Sequence, residues 1–204
     1  MPKIEYDEKA LMHLKNVDPL LGYYIDKYGF ITINRNPNVF ETIVSSIISQ
    51  QLSMKAAQTI EGRFVHLVGT IEPDKILVQS EESLRACGLS RPKIRYITEL
   101  SQKVLAKAMN LDDLETLTDE ELILRLVSLN GIGRWTAEML AMFSLGRLDI
   151  FAYDDLALKK AVMKVQGYKT FSKLRYERLK KKYSPYGTVA SLYYYAVNDR
   201  EKNK

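Results

Sequence analysis

Apolar residues recur at helical spacing along almost the whole of this 204-residue chain, and nowhere do they alternate convincingly as strands. That pattern limits the fold to helices packed on helices. In FETIVSSIISQQ (40–51), Phe40, Ile43, Val44, Ile47 and Ile48 make one apolar stripe. Ser53 is the expected N-cap of the next segment, MKAAQTIEGRFVHLVG, which ends at Gly69. Residues 70–74 read as a Pro-containing linker, and 80–87 as a short helix closed by Gly88. Ser90 opens a longer helix, with Pro92 in its first turn, running to about Asn110. Thr118 and Glu121 have capping-box spacing and launch ELILRLVSL. Asp154 or Asp155 caps LALKKAVMKV, and helical stretches at about 172–182 and 186–199 finish the chain.

Composition narrows the function classes. Hydrophobic content of 46% and charged content of 27% suit a globular core, and the net charge of +5 modestly favours an anionic partner. Cys87 is the only cysteine, so neither an intrachain disulfide nor a four-cysteine cluster can form, and a reducing, intracellular setting is expected. The N-terminal MPKIEYDEKALMHLK holds no apolar signal region. No window approaches 18 uninterrupted apolar residues, so no membrane partner is expected.

LNGIGRWTAEML (129–140) carries the most specific signal. Gly131 to Ala137 formally fits the dinucleotide pattern G-x-G-x-x-A, but that pattern needs a strand before the glycines. Here Leu122, Ile123, Leu126 and Val127 precede them at helical spacing. A plain helix–helix connection accounts for one glycine, as a left-handed residue closing a helix. A hairpin between helices accounts for both. Its backbone N–H groups, at the start of the next helix, form an anion site that a phosphate can approach closely, and Arg134 can add a charged contact.

This stretch resembles the helix–hairpin–helix of the DNA glycosylase superfamily of that name, and more narrowly its alkylation-repair branch, the 3-methyladenine DNA glycosylase II type. The resemblance implies that Leu129, Asn130, Gly131, Ile132, Gly133 and Arg134 grip a DNA phosphate, with a monovalent cation at the carbonyls of Leu129 and Ile132. Three further segments extend the resemblance over roughly residues 18–200. DIFAYDDLALKK (149–160) is similar to the run bearing the family's catalytic aspartate, which falls on Asp155, with Asp154 its structural neighbour. SSIISQQLSMKAAQTI (45–60) places Gln51 where the family drives a side chain into the duplex as the target nucleotide leaves. CGLSRPKIRYI (87–97) matches a fourth family segment without an assigned role.

The chemistry implied is base removal. A flipped nucleotide costs a few kcal/mol to extrude. A carboxylate near C1′ then stabilises the charge growing on the sugar and orients or deprotonates water. An N3- or N7-alkylated purine is already cationic and leaves readily, so no strong general acid is demanded; His13 and His66 lie outside the resembling segments. Lyase-type relatives carry a nucleophilic lysine just after Gly-x-Gly-x, where this chain has Trp135, which cannot form a Schiff base. A monofunctional enzyme is expected. Trp135, Met139 and Tyr195 are the candidate walls of a pocket for a cationic base. Gly187 stands where some relatives carry arginine, and the ten Lys/Arg between Lys159 and Lys182, against one acid, Glu177, could line a DNA path.

The expectation is therefore an all-α fold of two helical lobes with a cleft. One lobe spans 38–148, with wedge and hairpin. The other joins 1–37 to 149–204 and carries Asp155 at the junction. The form is the compact helical one, without an added N-terminal β-domain. The expected protein is a monomeric glycosylase acting on alkylated purines in duplex DNA, without cofactor or catalytic metal, located with the DNA. A same-fold enzyme for uracil, hypoxanthine or oxidised purine is the nearer alternative. A non-catalytic DNA-binding hairpin protein is the more distant one.

Overall fold

A computed structural model describes residues 2–201 and gives twelve α-helices and one 3-10 turn among them. The sole strand-like feature among the described residues is an isolated antiparallel bridge, Lys3 to Asn34. The fold class is all-α, as anticipated. The chain divides into two compact units, one contiguous (Asn36–Leu140) and one built from both chain ends (Met1–Arg35 with Ala141–Lys204).

The contiguous unit holds α3 (Val39–Ser49), α4 (Met54–Val68), α5 (Pro73–Leu77), α6 (Glu81–Ala86), α7 (Arg91–Leu105), a 3-10 turn (Asp112–Thr116), α8 (Asp119–Val127) and the start of α9 (Arg134–Phe143). The stripe Phe40, Ile43, Val44, Ile47 and Ile48 is buried, and α3 packs on both α4 and α7. Thr118 and Glu121 form the full capping box, each side chain answering the other's backbone N–H. Two boundaries differ from expectation. Helix α5 begins at Pro73, inside the expected linker, because proline is well placed at a first helical position and five residues are too few to show a period. Helix α7 stops at Leu105 rather than near Asn110. Lys107 turns left-handed (φ 55°), and the Met109 amide folds back to the Lys103 carbonyl at 3.0 Å.

The two-ended unit holds α1 (Glu8–Val17), α2 (Pro19–Tyr28), α10 (Leu156–Gln166), α11 (Lys173–Tyr183) and α12 (Gly187–Glu201). Helix α12 buries Val189, Ala190, Leu192, Tyr193, Tyr194 and Val197, residues on all its sides, so it is the central helix of this core. Burying tyrosines demands partners for their hydroxyls. Tyr193 donates to the Gly29 carbonyl at 2.8 Å. Tyr183 donates to Asp18 at 2.6 Å and pairs with Tyr194 at 2.6 Å, while Gln166 donates to both Asp18 and Tyr194 at 2.9 Å. Asp18 also caps α2 and takes an ion pair from Lys182 at 3.0 Å. Burial works against its charge, but the bonds from Tyr183, Lys182 and the Leu21 amide outweigh it and hold the carboxyl below its ordinary value.

Candidate active site

The hairpin follows α8 directly. The amides of Ser128 and Leu129 close that helix on Leu124 and Leu126. Leu129 and Ile132 are buried and joined by a 3.1 Å bond from the Ile132 amide to the Leu129 carbonyl, so an apolar pair anchors the turn. Asn130 and Gly133 are left at the surface. The two glycines have different reasons. Gly131 has φ 87°, and a Cβ there would lie 2.4 Å from Cδ2 of Tyr96, so both backbone and packing require it. At Gly133 a Cβ would meet nothing within 4 Å. The chain itself does not demand the second glycine, and the open space before the first amides of α9 suits an approaching anion.

Arg134, expected to reach a phosphate, lies across two carboxylates. Its terminal nitrogens pair with Glu120 at 3.1 and 3.0 Å, and Nε donates to Glu138 at 3.2 Å. The Glu138 side chain is only 6% exposed and one turn further along α9, so it needs a cation close by. The guanidinium is held firmly charged, first by the hydrogen bond to Glu120.

Gln51 is exposed in the loop between α3 and α4, at φ 58°, a left-handed conformation costing a non-glycine residue about 1–2 kcal/mol. The surrounding chain holds it there. Lys93 donates to the carbonyls of Ile48 (2.8 Å) and Gln50 (2.7 Å), and the Leu52 amide bonds Ser49 at 3.2 Å. The Gln50 side chain donates to the Gly131 carbonyl at 2.8 Å, tying this loop to the hairpin. Burial pulls the Lys93 ammonium below its usual value. Lys93 and Tyr96 had no assigned role from sequence, although their K-x-x-Y spacing in 87–97 puts them on one helix face. Glu99, one step further on that face, accepts from Asn130 at 2.6 Å.

Trp135 is 45% exposed on the first turn of α9. Met139, four residues on and half-buried, shares its face.

In the two-ended unit the capping role falls to Asp155. Its Oδ1 accepts from the Leu158 amide at 2.6 Å, and the residue is 6% exposed at the positive end of α10. Asp154 is exposed and pairs with Lys159 at 3.5 Å. Asn198 on α12 donates to the Ala157 carbonyl at 2.7 Å, fixing the start of α10 to the helix that carries Tyr195. Tyr195 is half-buried beside Phe143, ring centres 6.5 Å apart. At Gly187 the chain makes its own use of the missing arginine. Asp149 accepts from the Gly187 amide at 3.0 Å and from Ser184 at 2.5 Å, and a Cβ at 187 would sit 3.1 Å from that carboxylate. Part of the basic stretch is also used internally. Lys159 and Lys173 lie 4.2 and 4.7 Å from the Tyr153 ring, Arg175 covers Tyr168, and Lys182 pairs with Asp18.

Two hollows of about 690 and 630 Å³ in the contiguous unit, one beside Asn38 and Asn110 and one beside Arg91 and Gln102, are lined by none of these candidates. Among the described residues no group of three or more His, Cys, Asp or Glu is placed to hold a metal ion, and no helix is long and apolar enough to cross a membrane.

Residues 44–185 match the family model of the HhH-GPD superfamily base excision DNA repair protein. The chain belongs to that superfamily. An alkylbase DNA glycosidase-like protein of Schizosaccharomyces pombe, mag2, is 30% identical over 93% of each chain. DNA-3-methyladenine glycosylase 1 of the same yeast is 34% identical over 74% of this chain and 69% of its own. The solved structure of a DNA-3-methyladenine glycosidase from Bacillus halodurans superposes with a TM-score of 0.90 at 33% identity, covering 100% of this chain and 95% of that one. The S. pombe 3-methyladenine DNA glycosylase solved with abasic DNA gives 0.79 at 30% identity, over 92% and 95%. The HhH-GPD match contains the loop bearing Gln51, the hairpin and Asp155, while Tyr195 lies beyond it.

Proposed function

We propose that this chain is a monofunctional DNA glycosylase that extrudes alkylated purines of the 3-methyladenine and 7-methylguanine type from duplex DNA and hydrolyses their N-glycosidic bond. The observation that carries this reading is likeness over the whole length, at 33% identity and a TM-score of 0.90, to a DNA-3-methyladenine glycosidase. The assignment of individual residues is our own.

The work divides between the lobes anticipated from sequence, 38–148 and 1–37 with 149–204. The hairpin of 129–134 takes a DNA phosphate through the backbone amides at Gly133 and the start of α9, the Leu129 and Ile132 amides being used to shape the turn. Gln51 enters the stack where the damaged nucleotide leaves. The carbonyls of Leu129 and Ile132, each with two lone pairs, suit a monovalent cation that adds positive charge beside that phosphate. Trp135 and Met139 on α9 receive the cationic base, the indole face by stacking and cation–π attraction, and Tyr195 is a further aromatic face, carried by the two-ended unit, suited to the same contact.

Asp155 is the catalytic carboxylate. As the C1′–N bond breaks, its electron pair goes to the cationic purine, which departs neutral, and positive charge spreads over the sugar ring. The Asp155 carboxylate, fixed in orientation by the Leu158 amide, opposes that charge. It then directs a water oxygen to C1′ and receives the proton the water releases. Trp135 supplies no amine, so the product is an abasic site with an intact strand. The substrate places the protein wherever the cell keeps its DNA.

The test is chromatography of bases released from duplexes carrying 3-methyladenine, 7-methylguanine, uracil, hypoxanthine or 8-oxoguanine. Release of the methylated purines, lost in Asp155→Asn, is expected. Silence on both methylated purines overturns the reading.

A further inference from the structure

We infer that Lys93 is a positioning residue that holds the wedge loop in its extruding conformation and locks it in register with the hairpin. The inference rests on the glycosylase reading for its functional consequence, and on the geometry of the contiguous unit alone for its structural one.

Three observations converge on this lysine. Its Nζ sits at the C-terminal end of α3, 2.8 Å from the Ile48 carbonyl and 2.7 Å from that of Gln50. The last carbonyls of a helix have no partner within it, so an ammonium there satisfies them and meets the negative end of the helix dipole. The next residue is Gln51, the non-glycine residue in this loop with positive φ. A backbone kept in a sparsely populated region persists only when its surroundings over-determine it, and Lys93 fixes the peptide immediately before it. Gln50 then carries the constraint onward. Its carbonyl is on Lys93 while its side chain is on the Gly131 carbonyl at 2.8 Å.

The hairpin end of this link is rigid for its own reasons. Tyr96, one turn beyond Lys93 on α7, packs so closely under Gly131 that no Cβ fits. Glu99 accepts from Asn130. One face of α7 therefore presents Lys93 to the wedge loop and Tyr96 and Glu99 to the hairpin, with Gln50 bridging the two. Two loops 81 residues apart in sequence, measured from Gln50 to Gly131, become one bracket. On the glycosylase reading its task is to keep a fixed distance between the gripped phosphate and the side chain entering the stack. Positioning of this kind governs rate more than affinity, because a small misplacement of a reacting arrangement costs far more in turnover than in binding.

The test uses the full chain and Lys93→Met, which keeps the aliphatic stem and removes the ammonium, with Lys93→Arg as the conservative variant and Gln50→Leu to cut the bridge. Hydrogen exchange on the free proteins reads the bracket without DNA. Amides of 49–53 and 129–134 exchange at least tenfold faster in Lys93→Met, while α8 is unchanged. Single-turnover excision from a 3-methyladenine duplex falls ten- to a hundredfold, and the 2-aminopurine fluorescence rise that reports extrusion shrinks with it. Affinity for an undamaged duplex stays within threefold. Lys93→Arg recovers most of the rate, and Gln50→Leu loosens 129–134 in the same way. Unchanged exchange in both loops for Lys93→Met overturns the inference, as does an excision loss matched by equal losses of duplex affinity and of exchange protection throughout the unit. Should the full chain release no methylated purine while Lys93→Met still loosens both loops, the glycosylase reading fails and the bracket stands.

Discussion

The Asp155 carboxylate and the Leu158 amide meet at 2.6 Å, so the residue proposed to do the chemistry is also the one that starts helix α10. The two roles separate by substitution. Asparagine caps a helix about as well as aspartate, whereas alanine costs about 1 kcal/mol. Asp155→Asn is expected to melt within a degree or two of the native protein and bind abasic DNA normally. Its excision should be slower by about 10²–10³-fold, the scale of losing one electrostatic contact to a transition state. Asp155→Ala should lose both excision and stability. A normal excision rate in Asp155→Asn would leave the residue a cap and nothing more.

The hairpin glycines should respond oppositely to alanine. Gly131→Ala must place a methyl against Tyr96 with φ positive and is expected to lose about 2–4 kcal/mol of stability. At Gly133 an added Cβ has nothing within 4 Å beyond its chain neighbours. Gly133→Ala should fold with native stability while binding duplex DNA more weakly. Thermal melts beside fluorescence-anisotropy titrations of both variants check the contrast.

Trp135 offers a covalent test and a binding test. Borohydride added during turnover should trap no protein–DNA adduct, since no lysine occupies that position. Trp135→Ala removes one stacking face, worth about 1–3 kcal/mol per base, and should weaken capture of a methylated purine more than that of an undamaged duplex. A trapped adduct from the native protein would contradict the monofunctional assignment.

Acid should destabilise the two-ended unit through Asp18. Asp18 is held below its ordinary value, so its folded-state pKa lies under its unfolded one. Its stabilisation is complete above the unfolded value of about 3.9 and is lost as pH falls through the lower folded value. Tyr183→Phe removes the 2.6 Å bond and should destabilise the protein by about 1–3 kcal/mol at neutral pH. Because Asp18 then titrates closer to its ordinary value, unfolding of this variant should depend less steeply on pH below 4. Melts from pH 2.5 to 7 measure the difference.

Local features of this fold were readable from the sequence because local physics decides them. The stripe of α3, the capping box at Thr118 and Glu121, and the cap of α10, narrowed to Asp154 or Asp155, each depend on residues within one or two turns. The end of α7 was not readable, since a left-handed lysine at 107 leaves no compositional trace. Nor were the partners of the hairpin. Arg134 has one acid a helical turn away, which spacing could suggest, and a second, Glu120, that only the return of α8 brings near. Lys93 meets Gln50 across 43 residues. Its segment was recognisable, but nothing in a one-dimensional pattern says that an ammonium closes the end of a neighbouring helix.

The bond from Tyr183 to Asp18 spans 165 residues, and this has a bearing on how the protein is made. Synthesis proceeds from the N-terminus, and domains tend to fold as they emerge. The contiguous unit, with the Gln51 loop and the hairpin, can complete its core once Leu140 is out. Helices α1 and α2 must wait for α10, α11 and α12, with part of the surface of Leu21 and Ile25 still uncovered, until α12 has emerged. A ribosome stalled before α10 emerges would therefore hold the Gln51 loop and the hairpin already folded while α1 and α2 lacked their core partners, and those helices are where a chaperone would be needed.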